Sequence, residues 1–177
     1  MNKKIFFLYF LFVLLLFFMG IYLNSQSKKA SFAFVSPQIK KIYQTSPKET
    51  AVVKRVIDGD TIVLSDNRKV RYIGIDSPEL HHPTKPIQCF ATEAALLNTE
   101  LVEGKTIVMQ KDVSETDKYG RLLRYVWIGD VFVNNYLVEE GFARQETIPP
   151  DVAYATLFKE SAKKARLQNK GLWSLCN

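Results

Sequence analysis

Short apolar segments separated by tight-turn signals dominate the sequence from Ala51 onward. The first segment, Ala51 to Ile57, meets Asp58-Gly59, a favoured hairpin turn, and Thr61 to Leu64 follows it. A second turn, Ser65-Asp66-Asn67, leads into a segment that runs from Lys69 to Ile75. The pattern therefore predicts three strands joined by tight turns.

A helix is predicted after these three strands, because apolar residues recur there at helical spacing. Phe90, Ala94, Leu97 and Leu101 lie on one face of a predicted helix, and Gly104 is placed as its C-terminal cap. Two further strands are predicted downstream, at Thr106 to Met109 and at Leu122 to Ile128, and the second turns at Gly129-Asp130 into Val131 to Val133. A short helix capped by Asn134 and ending at Gly141 follows. The last helix starts at Pro149-Pro150-Asp151, ends at Gly171 and carries Tyr154, Phe158, Ala162 and Ala165 on one face.

Five strands with a helix between the third and the fourth favour an α+β fold that is mainly β. We expect a small five-stranded Greek-key barrel of the oligonucleotide-binding type, an OB-fold, with about three helices. The length of 177 residues suits one such domain plus an appendage. Two cysteines and two histidines are too few for a series of zinc fingers, so any bound metal should be held by oxygen.

The chain begins with a membrane-targeting pattern. Lys3 and Lys4 precede nineteen uncharged residues, 5–23, that are rich in Phe and Leu. A bilayer core takes about 20 apolar residues and a cleaved signal has only about 7 to 15, so the length favours a signal anchor over residues 1–24. Small residues at Ser25-Gln26-Ser27 leave a cleaved signal peptide open. Either form predicts an extracytoplasmic domain, because the lysines mark the cytoplasmic side.

The net charge of +6 belongs entirely to the N-terminal part. Residues 1–47 hold six Lys or Arg and no acid, whereas residues 48–177 hold 18 basic and 18 acidic residues. The basic balance therefore says little about what the domain binds. Residues 25–48, with Ser, Gln, Lys and Pro, are interpreted as a tether, and residues 49–177 as the folded domain.

Three polar clusters stand out in this domain. In the first, Asp58 and Gly59 are explained by turn chemistry, but Asp60 lies where its carboxylate can project from a strand end. In the second, Arg71 interrupts an apolar strand whose alternation places it in a row with Ile73 and Ile75, and Asp76 and Glu79 follow. An internal ion pair between Arg71 and Glu79 is the alternative to a catalytic role.

The third cluster is the turn Asp117-Lys118-Tyr119-Gly120-Arg121, which places Arg121 at the start of a strand. A solvated loop is its simplest explanation. Taken together, however, the three clusters match the sequence motifs of a known family, in the same order along the chain. The shared motifs are I-D-G-D-T, R-Y-I-G-I-D-S-P-E, H-P-T-K-P, E-T-D-K-Y-G-R and G-L-W-S, and they extend from about Ala51 to Trp173.

In these motifs the chain resembles the thermonuclease family, the staphylococcal-nuclease-like proteins. The resemblance implies the barrel inferred above and a calcium-dependent endonuclease that hydrolyses DNA and RNA. By matching motifs, Asp60, Asp76 and the Ser77 carbonyl would bind Ca²⁺. Arg71 and Arg121 would hold the phosphate, and Glu79 would activate water. The main alternative is a non-catalytic nucleic-acid-binding OB-fold module tethered to the membrane.

Contacts with the rest of the substrate are less well indicated. Lys85, Lys118 and Tyr119 are candidates for phosphate and base contacts, with solvated loop charges as the alternative for the lysines. The resemblance implies tyrosines just after the short helix, but residues 144–150 contain none. We expect a monomer whose partners are DNA, RNA and, through an uncleaved N-terminal helix, the membrane.

The two cysteines, Cys89 and Cys176, are candidates for a disulfide, since an extracytoplasmic pair tends to oxidise; two free thiols remain the alternative. His81 and His82 lie beside the second cluster. A zinc site there is disfavoured because adjacent side chains point apart and no cysteine is close in sequence.

Overall fold

A computed structural model describes residues 48–80, 84 and 86–176. The predicted N-terminal helix at residues 1–24 lies outside the described residues. So do the predicted tether, except for its last residue, and the loop residues His81, His82 and Lys85. Within the part of the chain that is described, no helix is both long and apolar enough to cross a membrane.

Eight strands and four helices make up the described chain. The strands are β1 (Lys48–Asp58), β2 (Thr61–Leu64), β3 (Lys69–Tyr72), β4 (Ile75–Asp76), β5 (Thr106–Gln110), β6 (Leu122–Ile128), β7 (Val131–Phe132) and β8 (Arg144–Gln145). The helices are α1 (Ala91–Val102), α2 (Val133–Glu139), α3 (Ala155–Leu167) and the single turn α4 (Leu172–Leu175).

Five of these strands form a closed barrel in the order β3-β2-β1-β5-β6. Neighbours in that order are antiparallel, and β6 then pairs with β3 in parallel to close the ring. β7 extends β6 as a hairpin, while β4 and β8 pair separately. The predicted OB-type barrel, with α1 between its third and fourth strands and three helices of seven residues or more, is confirmed.

The length of β1 allows the barrel to close. Its first residues, Lys48 to Val52, pair with β5, and its last residues, Val53 to Asp58, pair with β2. The register between β1 and β2 shifts twice, once between Val53 and Arg55 and once between Val56 and Asp58. Such bulges bend a strand and increase its twist, so one long strand serves two sides of a small barrel.

The core fills the barrel and extends under α2 and α3. Its fully buried large side chains include Tyr72, Tyr125, Phe158, Ile62 and Leu64. Tyr154 packs against the edge of Tyr125, with ring centroids 4.6 Å apart, and is partly buried against the core. It is thus a packing residue, as its helical spacing suggested.

Three local predictions are wrong. The third predicted strand is split into β3 and β4, because Gly74 adopts a φ of +81° and turns the chain. Asn134 lies inside α2 rather than capping it, and its buried amide bonds to Ile73 O and Val126 N instead. The last long helix starts at Ala155, since residues 148–152 form a tight turn closed by the bond from Asp151 N to Ile148 O.

Candidate functional site

Arg71 is the residue around which the site is organised. It lies on β3 with its side chain mostly buried. Nη1 donates to the carbonyl oxygens of Tyr72 (3.0 Å) and Ile75 (2.7 Å) and lies 3.1 Å from Asp60 Oδ2. Nη2 lies 3.1 Å from Asp76 Oδ1. Contacts on both terminal nitrogens fix the plane of the guanidinium, which leaves little freedom to reorient.

The two predicted metal-binding acids therefore meet at one arginine, although they come from separate turns. Asp60 Oδ2 also accepts the Ser77 N–H bond at 2.6 Å, which ties the β1–β2 turn to the end of β4. Gly59 allows this approach: a Cβ added there would lie 2.7 Å from Ser77 Cβ and 2.8 Å from Ala94 Cβ. Asp60, Asp76 and the Ser77 backbone are thus brought together at one end of the barrel.

Arg71 forms its ion pairs, within the described residues, with Asp60, Asp76 and Glu146 rather than with Glu79. The alternative of an Arg71–Glu79 ion pair is therefore wrong. Glu79 is exposed, and its backbone is bonded twice to Gln88. The Glu79 N–H donates to Gln88 Oε1 at 3.0 Å, and the Gln88 N–H donates to the Glu79 carbonyl oxygen at 3.1 Å. These two bonds join residue 79 to residue 88.

Acidic side chains are crowded at this end of the barrel. Burial, followed by the neighbouring Asp60 carboxylate, raises the pKa of Asp58 to about 7, and Glu79 contributes to that rise. Burial and Asp60 also raise the pKa of Asp76, although Arg71 and Arg144 oppose the shift. The part of these shifts that comes from neighbouring carboxylates is repulsion between like charges, which a cation bound among them would relieve.

The donor set has the chemistry of a hard divalent cation site. Asp60 is buried, the Asp76 side chain is half exposed, and both supply carboxylate oxygen, which Ca²⁺ prefers. Among residues 48–80, 84 and 86–176, no three Asp, Glu, His or Cys side chains converge closely enough to form a metal site alone. A cation held by Asp60 and Asp76 would complete its shell with the Ser77 carbonyl and water.

Arg121 is held by its own turn. Asp117 Oδ2 accepts from Arg121 Nε at 2.6 Å, and Asp117 Oδ1 accepts from the backbone N–H groups of Tyr119 and Arg121. Burial alone would raise the pKa of Asp117, but these hydrogen bonds outweigh it and hold that pKa below its usual value. Among the described residues, the two terminal nitrogens of Arg121 have no hydrogen-bond or ion-pair partner, so a planar donor fork remains available to an anion.

Barrel closure brings the two arginines to one pocket. The parallel pairing of β3 with β6 sets Val70 opposite Leu122 and Arg71 opposite Leu123, so Arg121, the residue directly before β6, lies next to the strand that carries Arg71. The resulting pocket has a volume of about 280 Å³. It is lined by residues from three segments of the chain: Arg71, Tyr72, Ile73, Gly74, Ser114, Asp117, Arg121, Leu123, Glu146, Ile148, Pro149 and Asp151.

The remaining predicted substrate residues lie near Arg121 or outside the described chain. The Tyr119 side chain is 72% exposed, with Lys118 Nζ 5.0 Å and Arg121 Cζ 5.6 Å from the ring centroid. An exposed aromatic ring flanked by two cations can stack on a base. Lys85 is not among the described residues.

Sequence reasoning missed two acids at the site. Asp58 was assigned to turn chemistry alone, and its carboxylate does accept the Asp60 N–H bond at 3.1 Å, yet it also belongs to the acidic cluster. Glu146 was not considered, although it lines the pocket and faces Arg71. The only sequence signal for Glu146 was an acid in the segment where aromatic residues were expected.

A disulfide lies close to Glu79 along the chain. Cys89 and Cys176 form a disulfide with a Cα–Cα distance of 5.8 Å, joining the segment before α1 to the end of the described chain. Cys89 directly follows Gln88, the residue that holds the backbone of Glu79.

Comparisons with known proteins cover most of the domain. Residues 69–175 match the family model described as Staphylococcal nuclease homologue. The chain is 37% identical over 128 residues to the thermonuclease of Staphylococcus intermedius, covering 71% of this chain and 76% of that protein. It is 35% identical to the thermonuclease of Staphylococcus hyicus (72% and 77% covered) and 35% identical to Endonuclease YncB of Bacillus subtilis (68% and 59% covered).

Proposed function

Because this chain belongs to the staphylococcal nuclease family, as its motifs predicted, and is a nuclease, we propose that it is a calcium-dependent extracytoplasmic endonuclease acting on DNA and RNA. The observation that carries the proposal is the shared pocket of Arg71 and Arg121, with Asp60 and Asp76 in contact with Arg71.

The two arginines suit phosphodiester hydrolysis. When water attacks phosphorus, negative charge increases on the non-bridging oxygens, and the site must offer positive charge already in place. Arg71 is fixed by two backbone carbonyls and two acids, and Arg121 by Asp117, so neither has to reorganise during the reaction. The free terminal nitrogens of Arg121 would bind two phosphate oxygens, and Arg71 would also bind the phosphate, from its place in the pocket lining.

Calcium is the cation we propose. Asp60, Asp76 and the Ser77 carbonyl would hold it, and when bound it would supply further positive charge next to the phosphate. Oxygen ligands and an irregular shell fit Ca²⁺ better than Mg²⁺, which requires a smaller octahedron. With so few protein ligands, the dissociation constant should be on the order of 10⁻⁴ to 10⁻³ M, as in extracellular calcium modules.

Glu79 is proposed to orient and deprotonate the attacking water. Its backbone is held by Gln88 while its side chain stays exposed, and it lies close enough to Asp58 to raise the pKa of that acid. A carboxylate beside a cation site is placed to accept a proton from a water bound there.

The pocket supports action on both nucleic acids. None of its charged contacts distinguishes a deoxyribose from a ribose, because Arg71 and Arg121 would address phosphate, which DNA and RNA share. Tyr119, exposed beside Arg121, would stack on a base of either polymer, and Lys118 would reach a flanking phosphate.

Two features support an extracytoplasmic location. The apolar run at residues 5–23 follows lysines in the pattern of a secretory signal or anchor, and the Cys89–Cys176 disulfide suits an oxidising compartment. Anchored and secreted forms remain the two versions of this proposal. Fractionating cells and sequencing the N-terminus of the mature protein separates them, and a protein confined to the cytoplasm would contradict both.

The catalytic proposal is tested with purified full-length chain in detergent. Circular single-stranded DNA and a long RNA are incubated with Ca²⁺, with Mg²⁺ or with a chelator. We expect both substrates to be cut with Ca²⁺, and only slowly or not at all otherwise. Cutting of the circle identifies internal cleavage. Intact substrate under every calcium condition, with oligonucleotide still retarded on a gel, would favour the non-catalytic binding module instead.

A further inference from the structure

Glu146 is an acidic residue in the pocket for which the proposed reaction has no use. It follows β8 directly, and its backbone N–H donates to Gly74 O at 3.0 Å, which fixes the chain at this point. Its side chain lines the pocket with both arginines, is 43% exposed, and places Oε2 3.6 Å from Arg71 Nη2. A carboxylate is an unexpected group in a pocket that receives an anion.

The contact of Glu146 with Arg71 differs from those of the two aspartates. Asp60 and Asp76 approach the guanidinium to 3.1 Å, and Asp60 is locked further by Ser77 N–H. At 3.6 Å, the Glu146 contact is an ion pair rather than a hydrogen bond. Among the described residues, Arg71 is the only partner of the Glu146 carboxylate. It can therefore leave Arg71 without breaking another contact.

We propose that Glu146 is a displaceable counter-anion: it occupies the substrate-facing side of Arg71 in the free enzyme and competes there with the phosphate. The inference rests on the proposed role of Arg71 in phosphate binding. A competing carboxylate weakens binding of any phosphate group, so Glu146 is a positioning residue that raises KM without taking part in bond breaking.

The charge of the product adds a second consequence. Hydrolysis adds water to phosphorus and breaks one P–O bond, which leaves a hydroxyl on one fragment and a phosphomonoester on the other. The diester carries one negative charge, and a phosphomonoester carries about −1.5 to −2 at pH 7. Glu146 consequently repels the product more strongly than the substrate, which favours product release.

The test compares Glu146→Gln with Glu160→Gln in the full chain. Glutamine keeps the size of the side chain and removes its charge, while Glu160, exposed on α3 with no ion pair to a described residue, matches the change in net charge. Steady-state kinetics on single-stranded DNA with Ca²⁺ should give a KM about 3- to 10-fold lower for Glu146→Gln, with kcat unchanged or reduced by slower release. Glu160→Gln should match the wild type.

A binding measurement separates this inference from the function on which it rests. Calorimetry with inorganic phosphate, without metal, should show tighter binding to Glu146→Gln and weaker binding to Arg71→Lys. If Arg71→Lys binds phosphate as well as the wild type, the proposed role of Arg71 is wrong. If only Arg71→Lys changes, that role stands and the inference on Glu146 fails.

A second variant guards against an effect of the glutamine itself. Glu146→Ala must change KM in the same direction, and thermal unfolding must show that both variants fold. The proposal is overturned if Glu146→Gln or Glu146→Ala has a higher KM than the wild type. It is also overturned if the KM of either variant lies within twofold of the KM of Glu160→Gln.

Discussion

Arg71 performs a task at the scale of one residue that lysine is unable to reproduce. Its two terminal nitrogens contact two backbone carbonyls and two aspartates at once. A single ammonium group lacks this planar fork. Arg71→Lys and Arg121→Lys should therefore each lower turnover by about 10³-fold or more, as loss of other cationic phosphate clamps does.

Arg68→Lys is the matched control for these variants. Arg68 lies just before β3 and pairs with Glu49 and Asp66 on the exposed surface, away from the pocket lining. Its replacement should leave turnover on single-stranded DNA unchanged. Near-normal turnover in Arg71→Lys or Arg121→Lys would remove that residue from the proposed mechanism.

Asp58→Asn should stabilise the protein at pH 8 and progressively less as the pH falls. Burial and Asp60 raise the pKa of Asp58 from 3.8 to about 7, so the folded protein favours the protonated carboxyl group. Asp58 therefore costs no stability below its unfolded pKa, and it destabilises the protein increasingly as the pH rises through the folded pKa. Asparagine keeps the oxygen that accepts the Asp60 N–H bond but carries no charge. In the presence of a chelator we expect a gain on the order of 2 kcal/mol at pH 8.

Urea unfolding at pH 8, 6.5 and 5 measures this dependence. Asp66→Asn is the control of opposite sign, because hydrogen bonds from the Arg68 backbone and side chain lower the pKa of Asp66. That variant should not gain stability at any of the three pH values. A gain for Asp58→Asn that is equal at pH 5 and pH 8 would show that its charge is not the cause.

At the scale of secondary-structure elements, the break between β3 and β4 depends on one glycine. Gly74 has a φ of +81°, and a Cβ added there would lie 2.4 Å from Phe158 Cε2. Gly74→Ala should lower the free energy of unfolding by roughly 2–4 kcal/mol, combining backbone strain with displacement of a core ring.

Gly104→Ala isolates the backbone contribution. Gly104 also has a positive φ, +72°, but a Cβ there would meet no atom within 4 Å. Its replacement should cost only about 1 kcal/mol in urea unfolding. Equal losses at the two positions would mean that Phe158 moves aside freely, and that contact with the ring does not fix the turn.

This break also shows what the sequence was able to predict. Elements with a clear local period were found with nearly correct ends, as for β6, predicted and observed at Leu122–Ile128. The split at Gly74 and the inward role of Asn134 depend on long-range contacts, with Phe158 and with Ile73 and Val126, respectively. No local pattern contains that information.

The candidate site follows the same rule. Motif order identified Asp60, Arg71, Asp76 and Arg121, which the fold gathers around Arg71 and one pocket. Glu146 could not be found in this way, because it reaches Arg71 only through the pairing of β4 with β8 and the bond from its N–H to Gly74 O. An acid that belongs to none of the shared motifs is recognisable as a site residue only when the partner it faces is known.

At the scale of the whole molecule, the site exists only in the closed barrel. Asp60 and Glu146 both contact Arg71, yet they come from the first hairpin and from the segment before α3. The β3–β6 seam that brings Arg121 beside Arg71 is the pairing that completes the ring. Local opening at this seam would separate the two arginines, so activity should depend on the stability of the whole domain.

The Cys89–Cys176 disulfide is the covalent part of that stability. It links positions 87 residues apart in sequence and so restricts the unfolded chain strongly. Replacing both cysteines by serine should lower the free energy of unfolding by roughly 2–4 kcal/mol. Urea unfolding of the wild type with a reductant should shift to match the double variant, and the double variant should not respond to the reductant. A wild type that is equally stable with and without the reductant would show that native packing alone, and not the cross-link, keeps the C-terminal segment against the start of α1.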